Sequence, residues 1–256
     1  MAFSFRKNYM IIAVTVLVVL FAFSLTVTTL GYRYIKLDSG LKYFGMTEEK
    51  YPTVGTVFYP DGTRGKIDTA NGTIEFSDGS FYRGGLYGLA RHGSGIQSFV
   101  DGSKYTGDFR YDKISGTGVF EISEKESYTG EFRDGKKHGE GTYKYSDGSV
   151  YIGSFENDVR HGKGILRYAN GTVYEGGFEA GIRCGTGTVI YNNRDVYTGD
   201  FREDVRHGKG TYTWSQGMKY TGDFTLDEMT GNGRLSFTDG TVVEGIFEKG
   251  ELVSGE

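Results

Sequence analysis

One spacing governs this chain: a short aromatic-glycine segment returns every 23 residues. Tyr82-Arg-Gly84-Gly-Leu86, Tyr105-Thr-Gly107-Asp-Phe109, Tyr128-Thr-Gly130-Glu-Phe132 and Tyr151-Ile-Gly153-Ser-Phe155 come first. Tyr174-Glu-Gly176-Gly-Phe178, Tyr197-Thr-Gly199-Asp-Phe201, Tyr220-Thr-Gly222-Asp-Phe224 and Val243-Glu-Gly245-Ile-Phe247 follow. The glycine is kept in all eight copies, and the first aromatic and the phenylalanine in seven each. Ten residues after each of the first seven starts stands a two-glycine segment, running from His92-Gly-Ser-Gly95 to Thr230-Gly-Asn-Gly233. A period of this length is the signature of a repeat architecture, in which each copy buries its apolar face only against its neighbours. The second half of the motif can also be read at Gly55 to Tyr59 and Gly72 to Phe76, where the spacing shortens to 17, so the array is expected over residues 53–250.

The type of unit follows from alternation. Around Ser146-Asp147-Gly148-Ser149, apolar and polar residues alternate in Gly141 to Tyr145 and again in Val150 to Phe155. Period two is the strand signal, and Asp-Gly is a strong hairpin signal because a two-residue primed turn needs positive φ at both positions. Each copy is therefore read as one β-hairpin. Lys125 and Arg194 replace the turn glycine in two copies, and a different turn is expected there. Side chains at i, i+2 and i+4 share a strand face. Tyr151, Gly153 and Phe155 thus point one way, and the missing side chain at Gly153 leaves room for a neighbouring ring. The fold class expected is all-β, an elongated single-layer antiparallel hairpin solenoid of about 17 to 18 strands.

The residues quoted resemble the MORN repeat, whose pattern is close to YxGxFxxGxxHGxGxxxxxDGxxYxGxF. The resemblance departs at the short first units, at Val243, and at Ser115, Cys184 and Thr230, which stand where the family has histidine. It implies a scaffold, membrane tether or adaptor attached to an enzyme or a membrane segment, with lipid head-group recognition as an alternative; this chain is itself expected to be non-enzymatic.

Composition agrees with a folded array. Gly 42, Tyr 20 and Phe 18 with only Pro 2 argue against collagen, a proline-rich linker and disorder. The net charge is −4, and Arg6 and Lys7 are the only charges before residue 33, so the remainder is more acidic still. That weighs against nucleic acid and against a polybasic lipid patch, since both need clustered cations. The lone Cys184 excludes an intramolecular disulfide.

Near the N-terminus, Met10 to Leu30 carries no charge, and a helix of about 20 residues crosses a bilayer. Residues 10–31 are read as a transmembrane helix, with 1–9 a short basic tail, 32–52 a juxtamembrane spacer and 251–256 a C-terminal tail. The apolar run exceeds a signal peptide's, and Ala22-Phe23-Ser24 is a poor cleavage site. A single-pass membrane protein with its repeats outside the cytoplasm is expected; cleavage would instead release a secreted repeat protein.

No cofactor, metal or catalytic residue is assigned. Histidines 92, 138, 161 and 207 are given a structural role, because neighbouring copies lie about 10 Å apart, too far for one zinc ion. Asn71-Gly-Thr73 and Asn170-Gly-Thr172 fit the glycosylation sequon but coincide with turns. The candidate partner surface is the aromatic stripe Tyr105, Tyr128, Tyr151, Tyr174, Tyr197 and Tyr220, read as partly exposed rings able to receive a helix or extended peptide. Gly84, Gly107, Gly130, Gly153, Gly176, Gly199, Gly222 and Gly245 are the structural repeat positions. The sheet edge near Gly245 to Val253 is a second candidate surface, for pairing with another copy of the chain.

Overall fold

The computed structural model describes Thr28 and residues 30–255. The expected transmembrane helix therefore lies, but for its last residues, outside the described ones. Among the described residues no helix is long and apolar enough to cross a membrane. They are all-β, with 21 strands in an open antiparallel sheet. The chain divides into two compact units, Met1–Asp101 with Phe109–Asp112, and Gly102–Asp108 with Lys113–Glu256.

In the second unit each copy contributes two strands, as in Val150–Glu156 and Val159–Arg167. The register sets glycine opposite glycine: Gly141 pairs with Gly153, Gly153 with Gly164, and Gly164 with Gly176. Every one of these glycines lies under a tyrosine ring, and each ring spans an alternate pair, Tyr128 over Gly130 and Gly141 and Tyr151 over Gly153 and Gly164. A Cβ added at Gly141 would sit within 3.0 Å of Tyr128 ring atoms, and one at Gly164 equally close to Tyr151. The phenol then donates to the carbonyl three residues on, Tyr128 to Glu131 at 3.0 Å, Tyr174 to Gly177 at 2.9 Å and Tyr197 to Asp200 at 2.9 Å. This bond is why the position is tyrosine and not phenylalanine. Each ring also meets the next copy's phenylalanine edge-to-face, Tyr128 with Phe155 at 5.0 Å and Tyr151 with Phe178 at 5.1 Å. Such pairs contribute about 0.5–1.5 kcal/mol beyond area burial.

The first unit repeats this device earlier than expected. Residues 32–52, read as a spacer, form the strands Tyr32–Lys36 and Lys42–Glu48 and open a third, Tyr51–Phe58. Tyr43 is fully buried, Gly45 pairs with Gly55, and the phenol donates to Met46 and Val54 carbonyls. The hairpin went unread because Thr47 replaces the phenylalanine and Tyr43 is out of phase with the 23-residue spacing. At the other end, Glu251–Gly255 is a strand on Val242–Glu248, not a tail. These segments account for the strand count above 17 to 18.

The tight turns lie at the opposite end from the one expected. Tyr145 to Ser149 is a five-residue loop, closed by Gly148 N–H to the Tyr145 carbonyl at 3.0 Å and Tyr145 N–H to the Ser149 carbonyl at 2.9 Å. Only its glycine takes positive φ, +91°. The two-residue primed turns join Glu156 to Val159 and their equivalents, and there Asn157 and Asp158 sit at φ +49° and +75°. The expectation for the two substituted loops divides. Ile122 to Glu126 does adopt another turn, whereas Arg194 takes φ +70° and closes the same loop as Gly148.

Candidate partner-binding groove

The six tyrosines expected as a partly exposed stripe are each 0% exposed. Gly130, Gly153, Gly176, Gly199 and Gly222 lie against them, so rings and glycines together are core and present no docking face. The reason is that each ring lies flat on two facing glycines and is closed off by the next copy's phenylalanine. Burial pushes the phenols of Tyr105, Tyr151, Tyr174 and Tyr220 up to about 12, and raises Tyr128 and Tyr197 as well. In the first unit Tyr82 and Gly84 do the same, with Tyr82 raised to about 12 by burial.

A cation that the sequence reading passed over completes this core. Arg160 stands 5.7 Å from the Tyr151 centroid and 5.1 Å from Phe178; Arg183 is 5.3 Å from both Tyr174 and Phe201. Lys137 and Arg206 hold the same place, and Ile114 and Met229 replace them in two copies. The signal was present as the residue before each histidine position. These cations also brace successive primed turns: Arg183 Nε meets Asp204 Oδ1 at 3.0 Å, and Arg206 Nε meets Asp227 Oδ1 at 3.0 Å. The Asp204 and Asp227 N–H groups donate back to the Arg183 and Arg206 carbonyls. Asp204 and Asp227 thereby tolerate φ of +67° and +69°.

The exposed side chains lie on the opposite face. The residue between tyrosine and glycine alternates out of the core, and the register strings these positions into one row in the second unit. Thr142, Ile152, Ile165, Glu175 and Thr188 are successive neighbours, followed by Thr198, Thr211, Thr221, Arg234 and Glu244. Beside this row the glycine backbone forms a floor without side chains, and concavities open over it, two of them along its middle. One of about 770 Å³ is lined by Ile152, Lys163, Ile165, Glu175 and Thr186, with Gly153, Gly164 and Gly176 beneath. The other, about 640 Å³, is lined by Thr198, Lys209, Thr211, Thr221, Asn232 and Arg234 over Gly210, Gly222 and Gly233. Charges in the second are internally matched, Lys209 with Asp223 at 2.6 Å and Arg234 with Glu244 at 3.4 Å. Threonine hydroxyls pair across strands, Thr188 with Thr198 at 3.1 Å and Thr211 with Thr221 at 3.2 Å. The second concavity is thus near neutral and offers hydroxyls and bare backbone, whereas the first carries Glu140, Glu175 and Glu179 against Lys163 beside its isoleucines and is acidic.

The remaining sequence candidates are dispersed. His92 contacts the Tyr87 and Tyr111 rings, and His161 Nε2 lies 3.7 Å from Glu156. Among the described residues no group of three or more His, Cys, Asp and Glu side chains converges on one point. Asn170 Oδ1 accepts the Thr172 N–H at 2.9 Å, which is a turn role.

This register of paired glycines under tyrosines defines a stacked β-hairpin repeat protein. The MORN repeat model matches residues 90–104, 105–123, 128–150, 151–173, 174–196, 197–219 and 220–242. That is more than half of the chain, which belongs to the MORN-repeat family. Comparison with curated proteins gives no significant match. Among solved structures the chain is similar to the TCP10 domain of Danio rerio CPAP in complex with a peptide of Danio rerio STIL, at 12% identity and TM-score 0.46, covering 88% of this chain and 98% of that one. It is also similar to the SAS-4 TCP domain of Drosophila melanogaster, at 13% identity and TM-score 0.32, covering 84% and 90%. A catalytically inactive virginiamycin B lyase from Staphylococcus aureus matches at 11% and 0.16, covering 83% of each chain. At such identities and scores nothing about partners follows for this chain.

Proposed function

We propose that this protein is a non-enzymatic scaffold that receives an extended segment of a protein partner in the groove of its second unit, and that residues 10–31 hold it to a membrane. The observation that carries the first part is the glycine-floored groove itself. Its row of threonine and isoleucine side chains is set apart from the buried tyrosine core, and a chain crossing the strands there meets backbone and hydroxyl groups at a regular interval. The non-enzymatic reading is supported by the titratable groups. The raised phenols are shielded core tyrosines, and Asp61, Asp78 and Asp239 are lowered by turn N–H donors, as the repeat requires. The anchor rests on the uncharged run from Met10 to Leu30.

A photocrosslinking residue placed at Thr211 or Ile152 in native membranes should capture one and the same partner, and one placed at exposed Asn193 should not. The adduct should remain in the membrane pellet through an alkaline carbonate wash. No adduct from either groove position would end the scaffold reading, and release from the pellet would end the anchor reading.

A further inference from the structure

The strands Tyr32–Lys36, Lys42–Glu48, Tyr51–Phe58 and Arg64–Asp68 belong to the first unit and lie outside the residues that the MORN repeat model matches. Alternation buries Tyr43, Val57 and Ile67 on one face and leaves the other in solvent. On that outer face the register builds two rows. Tyr34, Phe44, Thr56 and Lys66 are successive neighbours in one, and Lys36, Lys42, Phe58 and Arg64 in the other. Tyr34 is 62% exposed and Phe44 41%, and Met46 and Val54 on the same face are exposed too. The Tyr32 and Phe44 rings meet at 5.9 Å, so these side chains form a patch and are not scattered. The repeat core does not need them.

The chain's net charge of −4 hides what the register gathers here. In residues 30–66, Arg33, Lys36, Lys42, Lys50, Arg64 and Lys66 outnumber Asp38, Glu48, Glu49 and Asp61. Lys36 stands directly opposite Lys42, a like-charge pairing that destabilises a hairpin. Among the described residues neither lysine, nor Arg64 or Lys66, forms an ion pair. The acidic groups of this face stand at its borders: Glu48 and Asp68 end their strands, and Glu75 lies on the next strand, opposite Lys66. Arg64 lies 5.7 Å from the Phe58 centroid. We propose that this outer face of the first four strands docks on the anionic surface of the bilayer that residues 10–31 enter. Tyr34, Phe44 and Met46 then lie in the interfacial layer, and Lys36, Lys42 and Arg64 meet lipid phosphates. Tyrosine rings belong at that depth, and lysine stems run along apolar surface while their heads reach the phosphates. A bilayer is the occupant because Leu30 ends the uncharged run and only Gly31 separates it from the strand that begins at Tyr32, so no spacer carries the face away from the membrane. To that extent the proposal rests on the anchor reading.

The test uses the full chain with Cys184→Ser and Val54→Cys, the new thiol carrying a polarity-sensitive fluorophore. It is reconstituted into phosphatidylcholine vesicles with or without phosphatidylserine. With phosphatidylserine the emission should shift to the blue and be quenched by spin-labelled lipid. The ratio of docked to undocked label should fall about 10-fold or more without phosphatidylserine. Lys36→Gln with Lys42→Gln should lower it as much, since each cation near an anionic surface contributes a factor of about five. High salt should lower it as well. Phe44→Ser, at an exposed position, should lower it with the circular dichroism of the sheet unchanged. A label that stays in water in the anionic vesicles, or docks equally well with both lysines neutralised, would overturn the proposal. So would a label shielded in native membranes but not in vesicles, which would assign the face to a protein. An alkaline carbonate wash separates the two readings. Release of a chain whose label had docked would end the anchor and keep this face; retention of a chain whose label is unquenched would end this face and keep the anchor.

Discussion

The two ends of each hairpin in the second unit meet the same need, reversing the chain, by different means. At one end a five-residue loop such as Tyr145 to Ser149 concentrates the conformational demand on one residue, Gly148 at φ +91°. At the other, a two-residue primed turn asks positive φ of both residues, and Asn157-Asp158, Glu203-Asp204 and Leu226-Asp227 meet it without glycine. The first end is self-contained. The second is held by the preceding copy, through the backbone bond from Asp204 N–H to the Arg183 carbonyl and the Arg183–Asp204 ion pair. Local chemistry can therefore be replaced by contact with a neighbour, at the price of depending on it.

The largest effect should strike both ends alike, because it acts on the core between them. The Tyr151, Tyr174 and Tyr220 phenols, ordinarily near 10, are raised by burial to about 12. The unfolded chain ionises first, so stability is full below about pH 10 and is lost as pH rises through about 12. Tyrosinate absorbance and the circular dichroism of the sheet should change together in an alkaline titration. Phenols that ionise near pH 10 while the sheet persists would mean the rings are not enclosed as described.

The next effects separate the ends. Gly148→Ala puts a Cβ at φ +91° and should cost about 1–2 kcal/mol in chemical denaturation, whereas Arg194→Gly, at φ +70° in the equivalent loop, should recover about 0.5–1 kcal/mol. A neutral Arg194→Gly would show that the loop's own φ does not limit stability. The smallest effect belongs to the braced end. Asp204 is half exposed, so a double-mutant cycle of Asp204→Ala with Arg183→Ala should give a coupling of only about 0.5–1 kcal/mol. Zero coupling would assign the tolerance of positive φ to the backbone bond alone.

Much of this was legible from the chain. The 23-residue spacing, the pairing of tyrosine with glycine and the hairpin in each copy all came from local pattern, because a strand's period of two forces Tyr151, Gly153 and Phe155 onto one face. Other features were not. Tyr43 and Gly45 lie outside the regular phase, so periodicity passed over them. The primed turns carry Asn-Asp, Ala-Gly or Leu-Asp, which have no common signature. The cation before the histidine recurs plainly, but what it covers and braces is not a local property.

The candidate sites divide in the same way. Repetition made the six tyrosines visible, and their exposure was misjudged because a single-layer sheet suggests open rings. Whether a ring is covered depends on the next copy's phenylalanine and on two glycines of different strands, which meet only through register. The groove residues are a threonine-rich minority within the motif, and only cross-strand pairing sets Thr188 beside Thr198. The sequence by itself determined the unit, its period and its inward face, since those follow from side-chain alternation and the sterics of single residues. Only the tertiary structure decided which surface is left for a partner, since burial is set by contacts between copies.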